Sequence, residues 1–174
     1  GKAVVFEGPE DYHKRINSKK LKIDENSILI IRGCGPVGYP GAAEVVNMQP
    51  PNRLLKKGIN ALPTMGDGRQ SGTSESPSIL HVSPESAVGG DLAIIKTGDK
   101  MCIDLNKKRV DLLISKSEFT KRRKRKKIPK LDNQTPWQEI SRSHVGQLED
   151  GACIRTRGLY MDIAEKKGIP RNNH

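Results

Sequence analysis

The chain has 174 residues, with 31 Lys and Arg against 20 Asp and Glu, a formal net charge of +11 and 34% hydrophobic residues. That length suffices for a domain with its own core, and the strong apolar segments within it argue against disorder along the whole chain. No apolar run approaches the ~20 residues of a membrane-crossing helix, and there is no collagen period or long low-complexity tract.

A pI near 9.7 points first to nucleic acid. The charge is concentrated, however. Lys116–Lys130 holds nine basic residues and one acid, Glu118, so +8 of the +11 lies there and the rest of the chain is nearly neutral. Aromatic residues make up 3% of the chain, and none interleaves with the dense stretch from Lys121 to Lys127. A base-stacking RNA reader needs exposed aromatics. The run therefore reads as a solvated tail or helix face, with phosphate contact or a localisation signal as the alternatives.

In chain order, Ala3–Phe6 reads as a buried strand. Pro9 suits the first turn of a short helix from about Glu10 to Ile16. Ser27–Arg32 is a β-branched, apolar strand. It runs into Gly33-Cys34-Gly35-Pro36-Val37-Gly38-Tyr39-Pro40-Gly41, a loop too rich in Gly and Pro to be helical. Helices are expected from Ala42 to about Met48 and from Arg53 to Lys57. Leu62–Met65 reads as a strand that ends in a second Gly-rich loop, Gly66-Asp67-Gly68-Arg69-Gln70-Ser71-Gly72-Thr73-Ser74. Ile79–Val82 and Leu92–Ile95 read as short strands, and Met101–Leu105 with Val110–Ile114 as a hairpin. Ser117 is the expected N-cap of the basic helix, which Pro129 stops. Thr135-Pro136 opens a helix to about Val145, and a last helix is expected from Tyr160 to Lys167. The pattern fits α+β: mainly β, a barrel-like domain with flanking helices, rather than a regularly alternating parallel sheet. The expected units are the barrel at 1–115, a basic helix or linker at 116–130, and a helical extension at 131–174 that packs on the barrel.

Cys34, Cys102 and Cys153 are widely spaced and form no C-x-x-C pair, which favours reduced intracellular thiols over a disulfide framework or a metal knot. Gly1 followed at once by a strand is the start expected of a chain that continues a longer one, and no signal peptide is visible.

Gly-rich loops at strand ends let backbone N–H groups approach an anion closely. The second loop surrounds the Ser71 hydroxyl with Gly68, Arg69, Gly72 and Thr73, and Glu44 follows the first loop by three residues. A serine and a carboxylate could face one cleft. Alternatively, both loops are tight turns and Glu44 merely suits a helix start. Neither loop has the spacing of a dinucleotide fingerprint, a P-loop or a nucleophile elbow.

Gly35–Glu44 and Asp67–Thr73 resemble the two signature loops in the C-terminal domain of the dihydroxy-acid dehydratase and phosphogluconate dehydratase family. His81-Val82-Ser83-Pro84-Glu85-Ser86-Ala87-Val88-Gly89-Gly90, Gly98-Asp99 with Ile103-Asp104, and the opening Gly1–Glu7 are similar to further segments of that domain. The resemblance covers nearly the whole chain outside the basic run. Branched-chain members usually carry Phe in place of Gln70 and Gly in place of Thr73. The tail motifs Gln134–Ile140, Val145–Leu148 and Gly168–His174 look like the sugar-acid members, whose typical substrates are arabinonate and xylonate.

The resemblance implies a hydro-lyase that converts a 2,3-dihydroxy acid to a 2-keto acid through an enol. It implies an iron–sulfur cluster, taken as 2Fe–2S, as Lewis acid on the C3 hydroxyl, and Mg²⁺ on the carboxylate and C2 oxygen. Ser71 would be the base that takes the C2 proton, Glu44 a Mg²⁺ ligand, and Thr73 and Arg69 substrate contacts, with Arg69 favoured as a brace of its loop. Most metal ligands would lie in a larger N-terminal domain absent from this chain, so the isolated chain is expected to be inactive and to bind no cluster. Cys34 is not expected to ligate a cluster, and His81 and His174 are read as structural. A homo-oligomeric full-length enzyme, in the cytoplasm or mitochondrion, follows from the same resemblance, with nucleic acid and membrane not expected as partners. The competing readings are a branched-chain dihydroxy-acid dehydratase and a basic nucleic-acid-binding module, whose affinity would fall steeply with salt. A third is a swivelling domain that serves only assembly.

Overall fold

A computed structural model describes residues 1–41, 44, 47–70, 76–155 and 165–168. Its centre is a four-stranded sheet in the order β1 (Lys2–Glu7), β2 (Ser27–Arg32), β3 (Thr64–Gly66), β4 (Ser78–Ile79), with every neighbouring pair parallel. The register sets Ala3 beside Ile28, Phe6 beside Ile31, and Ile30 beside Met65. An antiparallel hairpin, β5 (Met101–Asp104) with β6 (Arg109–Leu112), follows. It meets β1 through an antiparallel bridge between Lys2 and Lys100.

Strands in a parallel sheet covered on both faces are continuous apolar runs, and β1 and β2 have that composition. One face carries Val4, Phe6, Leu29 and Ile31 against Tyr12, Ile16, Ile23, Met48, Leu54 and Leu62. The other carries Ala3, Val5, Ile28, Ile30 and Met65 against Leu92, Ile95 and Met101. Phe6, Leu29, Ile30 and Ile31 are fully enclosed, and each such side chain contributes roughly 1.5–3 kcal/mol by leaving water.

Helix α1 (Gly8–Arg15) connects β1 to β2, with Pro9 in its first turn and an ion pair between Asp11 and Arg15. Tyr12 packs edge-on against Phe6, its ring centroid 5.3 Å away. Its hydroxyl donates to the Gln49 carbonyl at 3.0 Å and accepts from the Gln49 N–H at 2.7 Å. That pair ties the segment beyond the first Gly-rich loop to α1. The short helix α2 (Asn52–Leu55) precedes β3.

The mixed helix-and-sheet composition agrees with the sequence expectation, but the arrangement differs in several respects. The main sheet is parallel, and among the described residues no pairing joins β4 to β6 to close a barrel. Asp91–Ile94 forms a 3₁₀ turn instead of a strand; its apolar run is too short for periodicity to separate the two. Asn47 and Met48 are not helical, and Glu44 lies in a β-bridge instead of a helix. The expected helix from Ala42 otherwise falls outside the described residues, as does the 160–164 stretch of the last one.

The basic run is helix α3 (Lys116–Arg125), and it is folded onto the body. Its N-cap is Ser115, whose hydroxyl accepts the Glu118 N–H at 3.2 Å; Ser117 does not cap it. The capping-box spacing Ser-x-x-Glu explains the choice. Arg122, 13% exposed, reaches Asp99, 10% exposed, at 2.5 Å and Glu118 at 2.7 Å. Asp99 is the residue whose carbonyl accepts the Ala3 N–H, so the pair fastens α3 to the start of β1. Burial pushes the Asp99 carboxyl upward, but hydrogen bonds from Arg122 and the Lys96 backbone outweigh it and hold the group below its ordinary value. A carboxylate lowered in the fold stabilises the protein above the unfolded pKa, about 3.9, and that contribution is lost as pH falls through the folded value. Arg122→Met should cost about 2–4 kcal/mol at pH 7. It should also flatten the fall in stability that urea titrations record below about pH 4.

Helix α4 (Pro136–His144) is capped by Thr135, whose hydroxyl accepts the Gln138 N–H at 3.2 Å. Among the described residues no helix is long and apolar enough to cross a membrane.

Candidate active site

Because β2 and β3 are adjacent and parallel, the loops that follow them leave from the same edge of the sheet. This is the edge where parallel sheets place their ligand sites. The two Gly-rich segments singled out in the sequence, far apart along the chain, are brought together by that topology.

Two buried carboxylates hold them. Asp67, fully enclosed, accepts the Cys34 N–H on Oδ1 at 2.9 Å. On Oδ2 it accepts the Gly33 N–H at 3.1 Å, the Ser86 N–H at 2.9 Å and the Ser86 hydroxyl at 2.6 Å. Glu85, also fully enclosed, accepts the Val37 N–H at 2.8 Å and the Gly38 N–H at 2.8 Å. The Gln147 side-chain amide donates to Glu85 at 2.8 Å and accepts the Glu85 backbone N–H at 2.8 Å. Arg142 of α4 donates to the Val37 carbonyl at 2.9 Å. The first loop is thus wired to the second loop, to Glu85–Ser86 and to the C-terminal segment. Charge-assisted bonds of this kind are the strong ones.

The glycines permit this closeness. A Cβ on Gly68 would stand 2.6 Å from both the Cβ and the carbonyl oxygen of Cys34, and one on Gly35 would stand 2.5 Å from a Glu85 carboxylate oxygen. Gly68→Ala would force the paired loops apart where their contact is largely backbone. A loss of about 1–3 kcal/mol is expected from overpacking, readable as a lower urea midpoint.

Glu44 and Arg69 are joined by a parallel backbone bridge. Both are exposed, and neither side chain enters an ion pair among the described residues. Ser71 and Thr73 lie outside the described residues; the description of the second loop ends at Gln70, immediately before Ser71. The Gln70 amide is buried with no hydrogen-bond partner among the described residues. A polar cavity of about 330 Å³ opens beside the first loop, lined by Glu10, Gly38, Tyr39, Pro40, Gln138 and Arg142 among others.

Cys34 is fully buried. Burial, with Asp67 next and more distant carboxylates behind it, pushes its thiol far above the ordinary range. Among the described residues no group of three His, Cys, Asp or Glu converges on a metal position. His81 donates its backbone N–H to the Gly68 carbonyl at 3.3 Å, and His174 lies outside the described residues. Sequence reasoning assigns no role to Asp67, Glu85, Arg142 or Gln147. Their signal is present, since Asp67 stands between two glycines and Glu85 and Gln147 lie in family motifs, but spacing alone does not show which carboxylates end up buried.

At this edge of the parallel sheet two Gly-rich segments interlock through Asp67 and Glu85, with Glu44 bridged to Arg69. The chain belongs to the dihydroxy-acid/6-phosphogluconate dehydratase C-terminal family, whose model matches residues 1–152. That match runs through the basic segment. Among curated proteins, the chain is 56% identical over 174 residues to the D-xylonate dehydratase of Caulobacter vibrioides, covering 99% of this chain and 29% of that protein. It is 49% identical over 122 residues to the L-arabinonate dehydratase of Rhizobium leguminosarum, covering 70% of this chain and 21% of that protein. It is 43% identical over 155 residues to the dihydroxy-acid dehydratase of Thermodesulfovibrio yellowstonii, covering 88% of this chain and 28% of that protein. The chain thus spans less than a third of the length of the curated relatives it matches.

Proposed function

We propose that this chain is the C-terminal portion of a hydro-lyase that dehydrates a pentonate, such as D-xylonate or an arabinonate, to its 2-keto-3-deoxy acid. The observation that carries the reading is the locked pairing of the two loops, with Glu44 bridged to Arg69 two residues before Ser71. Similarity to the two pentonate dehydratases supports the substrate class. So does Gln70, which keeps a buried amide where branched-chain members usually carry Phe.

In this reading Ser71 accepts the C2 proton of the substrate. An alkoxide or hydroxyl base needs nearby positive charge and N–H dipoles. Arg69 and the glycine-rich backbone of the same loop are this chain's contribution to that field. Thr73 contacts the substrate, and Arg69 either meets its carboxylate or braces the loop. Glu44 offers a hard oxygen donor of the kind Mg²⁺ takes. When bound, an iron–sulfur cluster, taken as 2Fe–2S, would supply Lewis acidity at the C3 oxygen, and Mg²⁺ would neutralise the carboxylate and C2 oxygen. In this reading most ligands of both groups come from a preceding domain of the same polypeptide. The full-length enzyme is a homo-oligomer, and the chain alone is inactive.

The test is to incubate the full-length polypeptide with Mg²⁺ and D-xylonate or L-arabinonate and to measure 2-keto acid. Formation of the 2-keto-3-deoxy acid is expected. Absence of keto acid from every pentonate, with the cluster spectrum intact, overturns the proposal.

A further inference from the structure

Helix α3 borders a second cavity on the body of the protein, whose lining includes neither Glu44 nor Arg69. Its volume is about 380 Å³, and its walls are basic: Arg32, Lys96, Lys121, Arg122, Arg125 and Lys126. The carboxylate in the wall, Glu118, is held by Arg122 at 2.7 Å.

Some of this charge is already used. Arg32 is paired with Glu7, and Arg122 with Asp99 and Glu118. These two guanidinium groups also occupy backbone acceptors at the floor of the cavity. Arg32 donates to the Leu92 carbonyl at 2.8 Å and the Ile95 carbonyl at 3.0 Å, and Arg122 donates to the Ile94 carbonyl at 3.2 Å. Lys126 donates to the Gly89 carbonyl, a contact that leaves its charge uncompensated. Lys96, Lys121 and Arg125 enter no ion pair among the described residues. Among the described residues, four cations thus border one concavity with no free carboxylate in its wall.

The helix dipole accounts for some of this, since basic residues suit the last turn of α3. It does not account for Lys96, which comes from the segment after the 3₁₀ turn Asp91–Ile94 and so from a separate element. We propose that this cavity is a binding site for a small, multiply charged anion of the phosphate-ester or pyrophosphate class. A volume of a few hundred Å³ with convergent polar groups is the size of a small-molecule site. Among the described residues no aromatic side chain lines it, as a base-stacking surface for single-stranded nucleic acid would require. Phe119, the aromatic of α3, instead lines a neighbouring apolar cavity and lies under Arg123.

The experiment is calorimetric titration of the full-length polypeptide with inorganic pyrophosphate at constant ionic strength. Saturable binding at one site per chain is expected, with a Kd at or below about 1 mM. The double variant Lys121→Ala/Arg125→Ala and the single variant Lys96→Ala should each weaken it by about tenfold or more, while Lys57→Ala, on a distant exposed lysine, should not. These side chains are exposed, so the melting temperatures should be unchanged, which separates lost binding from lost folding. Absence of saturable binding at roughly 10 mM pyrophosphate, or binding indifferent to the three cavity substitutions, overturns the proposal. Salt-sensitive binding of a single-stranded oligonucleotide without pyrophosphate binding also overturns it, in favour of a nucleic-acid surface.

Discussion

Ser71→Ala in the full-length enzyme should lower pentonate turnover by about 10²–10⁴-fold, the range that a positioned proton acceptor contributes. A residue that acts only in the chemical step leaves the ground state alone, so KM should change little while kcat falls. The substitution removes one hydroxyl, and the anchors of the loop at Asp67 and Gly68 are untouched, so the melting temperature and cluster spectrum should stay as in the parent. Steady-state kinetics with a keto-acid assay reads the effect. A variant that retains parental kcat removes Ser71 as the base.

Asp67→Asn should be the most costly single substitution for the fold of the site, at about 3–5 kcal/mol. All four groups that reach the Asp67 carboxylate are donors: three backbone N–H groups and the Ser86 hydroxyl. An amide of the same shape turns an NH₂ toward some of them and removes the charge that the others bind. In a fully buried position no water makes up the loss. Urea unfolding should show the full drop, whereas Asp150→Asn, at an exposed position, should stay within about 0.5 kcal/mol. Since Asp67 joins both loops, the variant should also lose activity, with KM and kcat both impaired.

Much of the fold is legible from local chemistry. Continuous β-branched runs mark β1 and β2, the Asn106–Lys108 turn marks the hairpin, and Thr135-Pro136 marks the start of α4. Parallel pairing is not legible. The runs of β1 and β2 are buried on both faces, and such runs fit a barrel wall as well as a parallel sheet. Leu92–Ile95 reads as a strand because its residues are apolar; burial is right, yet four residues can fill a core from a 3₁₀ turn. Glu44 suits a helix start as a carboxylate, and its cross-loop bridge to Arg69 comes only from the tertiary fold.

The candidate site is legible as two loops but not as a mechanism for holding them. The glycines announce close approach, and the structure names what they approach: the Cys34 backbone for Gly68 and the Glu85 carboxylate for Gly35. The basic run, which dominates the net charge, reads in sequence as a solvated face or tail. Arg122 makes it also a structural clamp, with hydrogen bonds to Asp99 and then Glu118 raising its guanidinium further above its ordinary value.

The proposed substrate class is tested most directly by kcat/KM of the full-length enzyme for D-xylonate against 2,3-dihydroxy-3-methylbutanoate under the same Mg²⁺ concentration. The account predicts a preference for the pentonate of at least about tenfold, or about 1.4 kcal/mol of differential transition-state binding. Equal values, or a preference for the branched-chain acid, would contradict it.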